Sequence, residues 1–173
     1  GLTIVLTYEG GQLVKAVTRG NGEVGEVITP NARVFRNIPG RIPYQGSLVL
    51  RGEAVIPYSE FEKINAQIED ADAKYKNPRN LCSGSVRQLN NEITAKRSVY
   101  FYAFSYVKAE LDGAEPPFEN DRENQFRFLK EQGFDVVPYK RVNADTIMAE
   151  IEWYAQAIQT YDIPSDGLVL CYC

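Results

Sequence analysis

The first eighteen residues read as a β-hairpin. Leu2-Thr3-Ile4-Val5-Leu6-Thr7-Tyr8 is β-branched and aromatic, a composition that suits a pleated, half-buried strand. Glu9-Gly10-Gly11 reads as a tight turn into Leu13-Val14-Lys15-Ala16-Val17-Thr18. Further strands are predicted over residues 48–56, 99–107 and 168–170, and the period of two places Arg51 and Glu53 on the same face. Helices are predicted between them. Ser59-Glu60-Phe61-Glu62 has the form of a capping box, opening a helix with Phe61, Ile64 and Ile68 on one side. Residues 120–132, closed by Gly133, turn Phe126 and Leu129 inward, and residues 143–161 align Ile147, Ile151, Tyr154 and Ile158. Pro39-Gly40 and Pro116-Pro117 read as turns within one domain. Hairpins and antiparallel-looking strands with helices between them predict an α+β fold, not a doubly wound parallel sheet.

Composition narrows the chemistry. A net charge of −4 argues against broad electrostatic attachment to nucleic acid, while leaving room for a local basic face. No apolar run approaches the roughly 20 residues that span a bilayer, and the start carries no secretory signal pattern. Cys82, Cys171 and Cys173 have no zinc-site spacing and read as free thiols in a reducing cytosol. With no histidine in the chain, catalysis would have to run on lysine, carboxylates, arginines or a metal.

Residues 77–89, Asn-Pro-Arg-Asn-Leu-Cys-Ser-Gly-Ser-Val-Arg-Gln-Leu, set Arg79 and Arg87 about two helical turns apart behind an Asn-Pro start. Two guanidiniums on one helix face suit a ligand with more than one phosphate, although two solvated surface arginines would look the same. Gly20-Asn21-Gly22-Glu23-Val24-Gly25 fits the pattern G-x-G-x-x-G. It follows a hairpin, and no acid stands near Gln45-Gly46 to meet a ribose, so a dinucleotide-binding βαβ unit is not predicted. The glycines instead permit a turn that brings Arg19 beside a ligand. Glu53 is a solvent-facing acid, an acceptor for ribose hydroxyls or a carboxylate near a metal. Phe104 belongs either to the core or to a base-stacking surface. Asp166-Gly167 is either a simple turn or a carboxylate placed for a metal or a lysine.

Several of these segments, in order, resemble the nucleotidyltransferase motifs of NAD-dependent DNA ligases. The opening run from Gly1 to Gly11 is similar to the continuation of the family's K-x-D-G motif, and Thr18-Arg19-Gly20-Asn21-Gly22 to its T-R-G-D-G turn. Arg51-Gly52-Glu53, Phe61-Glu62-Lys63-Ile64-Asn65, residues 77–89 and Ile93-Thr94-Ala95-Lys96-Arg97 also match in order and approximate spacing. Ser165-Asp166-Gly167-Leu168-Val169-Leu170 resembles the D-G-V-V-I-K strand. The resemblance runs over nearly the whole chain.

It implies a nucleotidyltransferase core of antiparallel sheets with interleaved and flanking helices, and the family's three-step reaction. A lysine amine attacks the α-phosphate of NAD and expels nicotinamide mononucleotide. AMP passes from the lysine to the 5′-phosphate of nicked double-stranded DNA, and the 3′-hydroxyl then displaces it. Carried over by motif, Arg19 holds the adenylate, Glu53 the ribose, and Phe104 stacks on adenine. Arg79 and Arg87 manage phosphates of cofactor or nick, and Asp166 serves magnesium or the lysine. A cytoplasmic monomer without membrane attachment is expected.

The departures are specific. The nucleophilic lysine is expected three positions upstream of Gly1, so residues 1–173 read as a partial adenylation domain, truncated at both ends and inactive alone. Cys171 stands where the family closes its strand with lysine, and residues 158–161 lack the arginine the family carries before D-G. These features leave a catalytically dead, ligase-derived module for nucleotide or DNA as the alternative. An ATP-dependent ligase or capping-type transferase is a third reading, opposed by the resemblance of residues 77–89 to the NAD-dependent branch.

Overall fold

The computed structural model describes residues 2–19, 25–118, 121–165 and 168–169. The hairpin forms as expected: β1 (Leu2–Glu9) and β2 (Gln12–Arg19) pair antiparallel. Its turn places Gly10 at φ +57° and Gly11 at φ +81°, a left-handed pair that matches strand twist and that glycine adopts without a Cβ penalty. β3 (Ser47–Val55) lies against the other edge of β1, and β4 (Tyr100–Glu110) against β3. The sheet order is β2-β1-β3-β4, antiparallel throughout.

Helices cover one face of this sheet. They are α1 (Thr29–Ala32), α2 (Tyr58–Ala66), α3 (Pro78–Val86), α4 (Asn91–Ala95) and α5 (Arg122–Glu131), while α6 (Ile147–Ala157) adds no residue to the core. Ile4, Leu6, Leu48, Leu50, Ala54 and Phe101 alternate onto that face and pack with Leu81, Val86 and Leu129 from α3 and α5. Burial of these side chains supplies the main drive for closure, at roughly 1.5–3 kcal/mol for each large one. The intervening strand residues, including Thr3, Val5, Val49, Arg51, Glu53 and Tyr102, are only half-buried on the opposite face. The expected α+β architecture is the observed one.

Four local expectations change. Ser59 does not cap α2: the N-cap is Pro57, which makes no side-chain cap bond, and the helix begins at Tyr58. Asp162 does that work from a distance. Its backbone oxygen accepts from Tyr58 N at 2.8 Å, its Oδ1 from Ser59 N at 2.9 Å, and its Oδ2 from Ser59 Oγ at 2.6 Å. Second, α2 ends at Ala66, so Ile68 lies beyond it, and Phe61 and Ile64 are only partly buried. Third, α6 starts at Ile147 because the Asn143 Oδ1 accepts from Asp145 N and Thr146 N, an asparagine turn that competes with helix. None of its residues is fully buried, and Ile151 is exposed. Fourth, Leu168 and Val169 form no strand and are exposed, while Leu170 lies outside the described residues. In α5, Phe126 and Leu129 point inward as expected, with Phe128 buried too among the rings of Tyr44, Tyr106 and Phe118.

Candidate functional site

Sheet register assembles the site on the half-buried face. Arg19 pairs with Thr3 across β2 and β1, Thr3 with Glu53 across β1 and β3, and Glu53 with Tyr102 across β3 and β4. Neighbouring strands lie about 4.8 Å apart, so the backbones of Arg19 and Glu53 stand roughly 10 Å apart. Thr3 Oγ1 donates to Glu53 Oε1 at 2.7 Å, which orients the carboxylate and leaves Oε2 without a partner among the described residues. Arg51 shares the face; its Nη2 reaches Ser105 Oγ at 3.5 Å, and its Nε is buried with no partner among the described residues.

Phe104 enters this wall through a β-bulge. Gly52 pairs with Ala103 and Arg51 with Ser105, so Phe104 is the extra residue on β4 and is half-buried there. Gly52 is required between Arg51 and Glu53. A Cβ there would sit 2.4 Å from Phe101 Cζ and 2.5 Å from the Tyr102 carbonyl oxygen, so only glycine lets β4 close.

α3 is fastened to the back of the same strand. The Asn77 side chain caps it by accepting from Asn80 N at 2.8 Å, and Pro78 fills the first turn, as the Asn-Pro start predicted. The Cys82 thiol donates to Ala54 O at 3.2 Å, one residue beyond Glu53, and burial pushes its pKa up to about 12. Cys82 is therefore a packing group, not a nucleophile. Arg79 is exposed on the first turn. Arg87 does not extend the helix: α3 stops at Val86, and Arg87 is its C-cap at φ −103°. The expectation of two arginines on one helical face gives way to one at each end, roughly 12 Å apart along the axis.

A buried polar network fixes that second end. Asn31 Nδ2 donates to Gln88 O at 2.7 Å and to Thr94 Oγ1 at 2.9 Å, and the Thr94 hydroxyl donates to Ser85 O at 2.6 Å. Arg87 Nε in turn meets Glu26 Oε2 at 3.2 Å. Glu26 is held by Thr18, whose Oγ1 accepts from Glu26 N at 3.0 Å and whose N donates to Glu26 O at 2.9 Å. Thr18 precedes Arg19, so the two arginines approach one end of the sheet.

Asp166 lies outside the described residues, as do residues 20–24 of the glycine-rich turn. The chain leading to Asp166 is anchored by Asp162 on α2 and by a hydrogen bond between Ser165 Oγ and the Tyr154 hydroxyl. Two hydrogen bonds from Ser59 hold the Asp162 carboxyl below the usual carboxylate range. Among the described residues no group of three or more acids or cysteines is placed to hold a metal ion. A groove of about 530 Å³ lined by Lys130 and Asp135 meets the row at Tyr102. Thr3, Glu26, Thr94 and Asp162 escaped sequence reasoning, because each acts through a partner distant in the chain.

Fold and face together define a class: an α+β domain with helices behind one sheet face and cations, a carboxylate and an aromatic ring on the other. Residues 1–172 match the NAD-dependent DNA ligase adenylation domain, and the chain belongs to that family. It is 60% identical over 172 residues to a DNA ligase of Ruminiclostridium cellulolyticum and 62% over 173 residues to one of Lachnoclostridium phytofermentans. Each alignment covers 99% of this chain and 26% of the relative. A DNA ligase of Alcanivorax borkumensis is 38% identical over 175 residues, covering 98% of this chain and 22% of its own length. The chain thus spans about a quarter of the relatives it matches.

Proposed function

We propose that this chain forms the nucleotide-binding core of an NAD-dependent DNA ligase, taking AMP from NAD and passing it by way of a lysine to a 5′-phosphate at a nick. The observation that carries the reading is the in-register row of Arg19, Thr3 and Glu53 beside the Phe104 bulge. Each member suits one part of an adenylate. Glu53 accepts from the ribose hydroxyls on the oxygen that Thr3 leaves free, and Phe104 stacks on the base. Arg19 faces the phosphate end, while Arg79 and Arg87 take phosphates of cofactor or nick. The attacking amine forms a P–N bond as the bond to nicotinamide mononucleotide breaks, and these cations stabilise the charge gathering on phosphate oxygens.

That amine belongs to a lysine expected upstream of Gly1, so a polypeptide of residues 1–173 alone is expected to take up no AMP. Asp166 remains the proposed carboxylate for magnesium. A monomer acting on DNA in the cytoplasm is part of the same reading; among the described residues no helix is long and apolar enough to cross a membrane.

The test is uptake of labelled AMP by the full-length protein, with NAD and with ATP, for the natural sequence and for Arg19→Ala, Glu53→Ala and Phe104→Ala. NAD-dependent labelling that each substitution lowers is expected. Equal labelling from ATP, or three variants indistinguishable from the natural protein, would sink the reading.

A further inference from the structure

We propose that Glu26 is a positioning residue that aims Arg87 at a substrate phosphate. The proposal rests on the reading of Arg87 as a phosphate-binding residue and adds the group that orients it.

The contact is made at one edge of the guanidinium. Glu26 Oε2 meets Arg87 Nε at 3.2 Å, and the two Nη groups have no partner among the described residues. A guanidinium held through Nε keeps its Nη edge for a second anion, in the planar fork geometry that phosphate accepts bidentately. Exposed ion pairs usually contribute little because both side chains are free to wander. Here both backbones are fixed. Glu26 is held in two directions by Thr18, and the turn after Arg87 is held by Asn31 at Gln88 O.

The same contact joins two parts of the site that are distant in the chain. Thr18 carries Arg19 at the end of β2, and Arg87 ends α3. Glu26 therefore sets the spacing between the β2 cation and the α3 cation. The ligand chemistry is a phosphate, and two sources offer one: the dinucleotide and the 5′ end at a nick.

The experiment uses the full-length protein with Glu26→Ala, Glu26→Gln, Arg87→Ala and the Glu26→Ala/Arg87→Ala pair. KM and kcat are measured separately for NAD in self-adenylation and for nicked DNA in sealing. Glu26→Ala is expected to raise one KM about fivefold to tenfold, and the substrate affected identifies the phosphate. Glu26→Gln, which keeps an acceptor for Nε, is expected to recover much of that loss. The paired variant is expected to be no worse than Arg87→Ala alone. Matched thermal melts for Glu26→Gln and the natural protein keep a folding defect apart. An unchanged KM for both substrates with Glu26→Ala, while Arg87→Ala is impaired, overturns the positioning role and leaves the reading of Arg87 intact. Losses that add in the paired variant also overturn it. An Arg87→Ala protein with normal kinetics overturns both.

Discussion

Thr3 and Glu53 pair directly across β1 and β3, and the threonine hydroxyl donates to the carboxylate at 2.7 Å. One carboxylate oxygen is thereby committed and the other is aimed away from the threonine. Thr3→Val keeps the β-branched shape and removes the donor. A hydrogen bond to a charged group contributes about 1.5–3 kcal/mol, and solvent reaches this half-buried face, so the low end applies. AMP uptake is expected to fall roughly tenfold for Thr3→Val and on the order of 10²-fold for Glu53→Ala. Rapid-quench labelling of the full-length protein checks both; a Thr3→Val rate equal to the natural one removes the orienting role.

Gly52→Ala tests the closure of β3 on β4. Its Cβ meets Phe101 and the Tyr102 carbonyl at distances no side chain tolerates, so the strands must part. Overpacking of this kind costs about 1–3 kcal/mol. For a domain of this size that corresponds to a melting temperature lowered by roughly 2–4 °C per kcal/mol. An unchanged melt shows that β4 yields there freely.

Thr94→Val is nearly isosteric and tests the network behind Arg87. It leaves Ser85 O without the Thr94 donor and takes one acceptor from Asn31 Nδ2. Buried groups left unpaired cost about 1–3 kcal/mol each. The expected result is a lower urea midpoint at constant m.

Asp162 gives a pH dependence of definite sign. Its carboxyl is held below the usual range by the Ser59 hydroxyl and the Ser59 N–H. A depressed folded-state pKa stabilises above the unfolded carboxylate pKa of about 3.9, and the contribution disappears as pH falls through the folded value. Asp162→Asn is thus expected to melt lower than the natural protein at pH 7, with the gap closing below about pH 4. Asp162 is exposed, so about 1 M salt should also narrow the gap at pH 7. A gap constant with pH would assign the effect to something other than the charge.

Much of this architecture was legible along the chain. The hairpin, the 48–56 and 99–107 strands and the Asn-Pro start of α3 all stand on patterns within a few residues of one another. The capping box does not form because the helix starts at Tyr58, one residue before Ser59, and Asp162, 103 residues away, accepts from the Ser59 N–H and hydroxyl instead. The long amphipathic helix over 143–161 begins late because the Asn143 side chain accepts from the backbone N–H groups of Asp145 and Thr146. Arg79 and Arg87, eight residues apart, suit one helical face by spacing alone, and spacing says nothing of where a helix stops.

Residue order alone determined the strand alternation, the turn glycines and the motif series that marks the ligase family, because those depend on local backbone preference and side-chain period. Tertiary structure decided the rest. Register brought Arg19, Thr3 and Glu53 into one row, a bulge admitted Phe104 to it, and Glu26 was set against Arg87. Pairing register and helix ends are settled by packing between segments far apart in the chain, and a contact of that kind leaves no periodic signal in either segment.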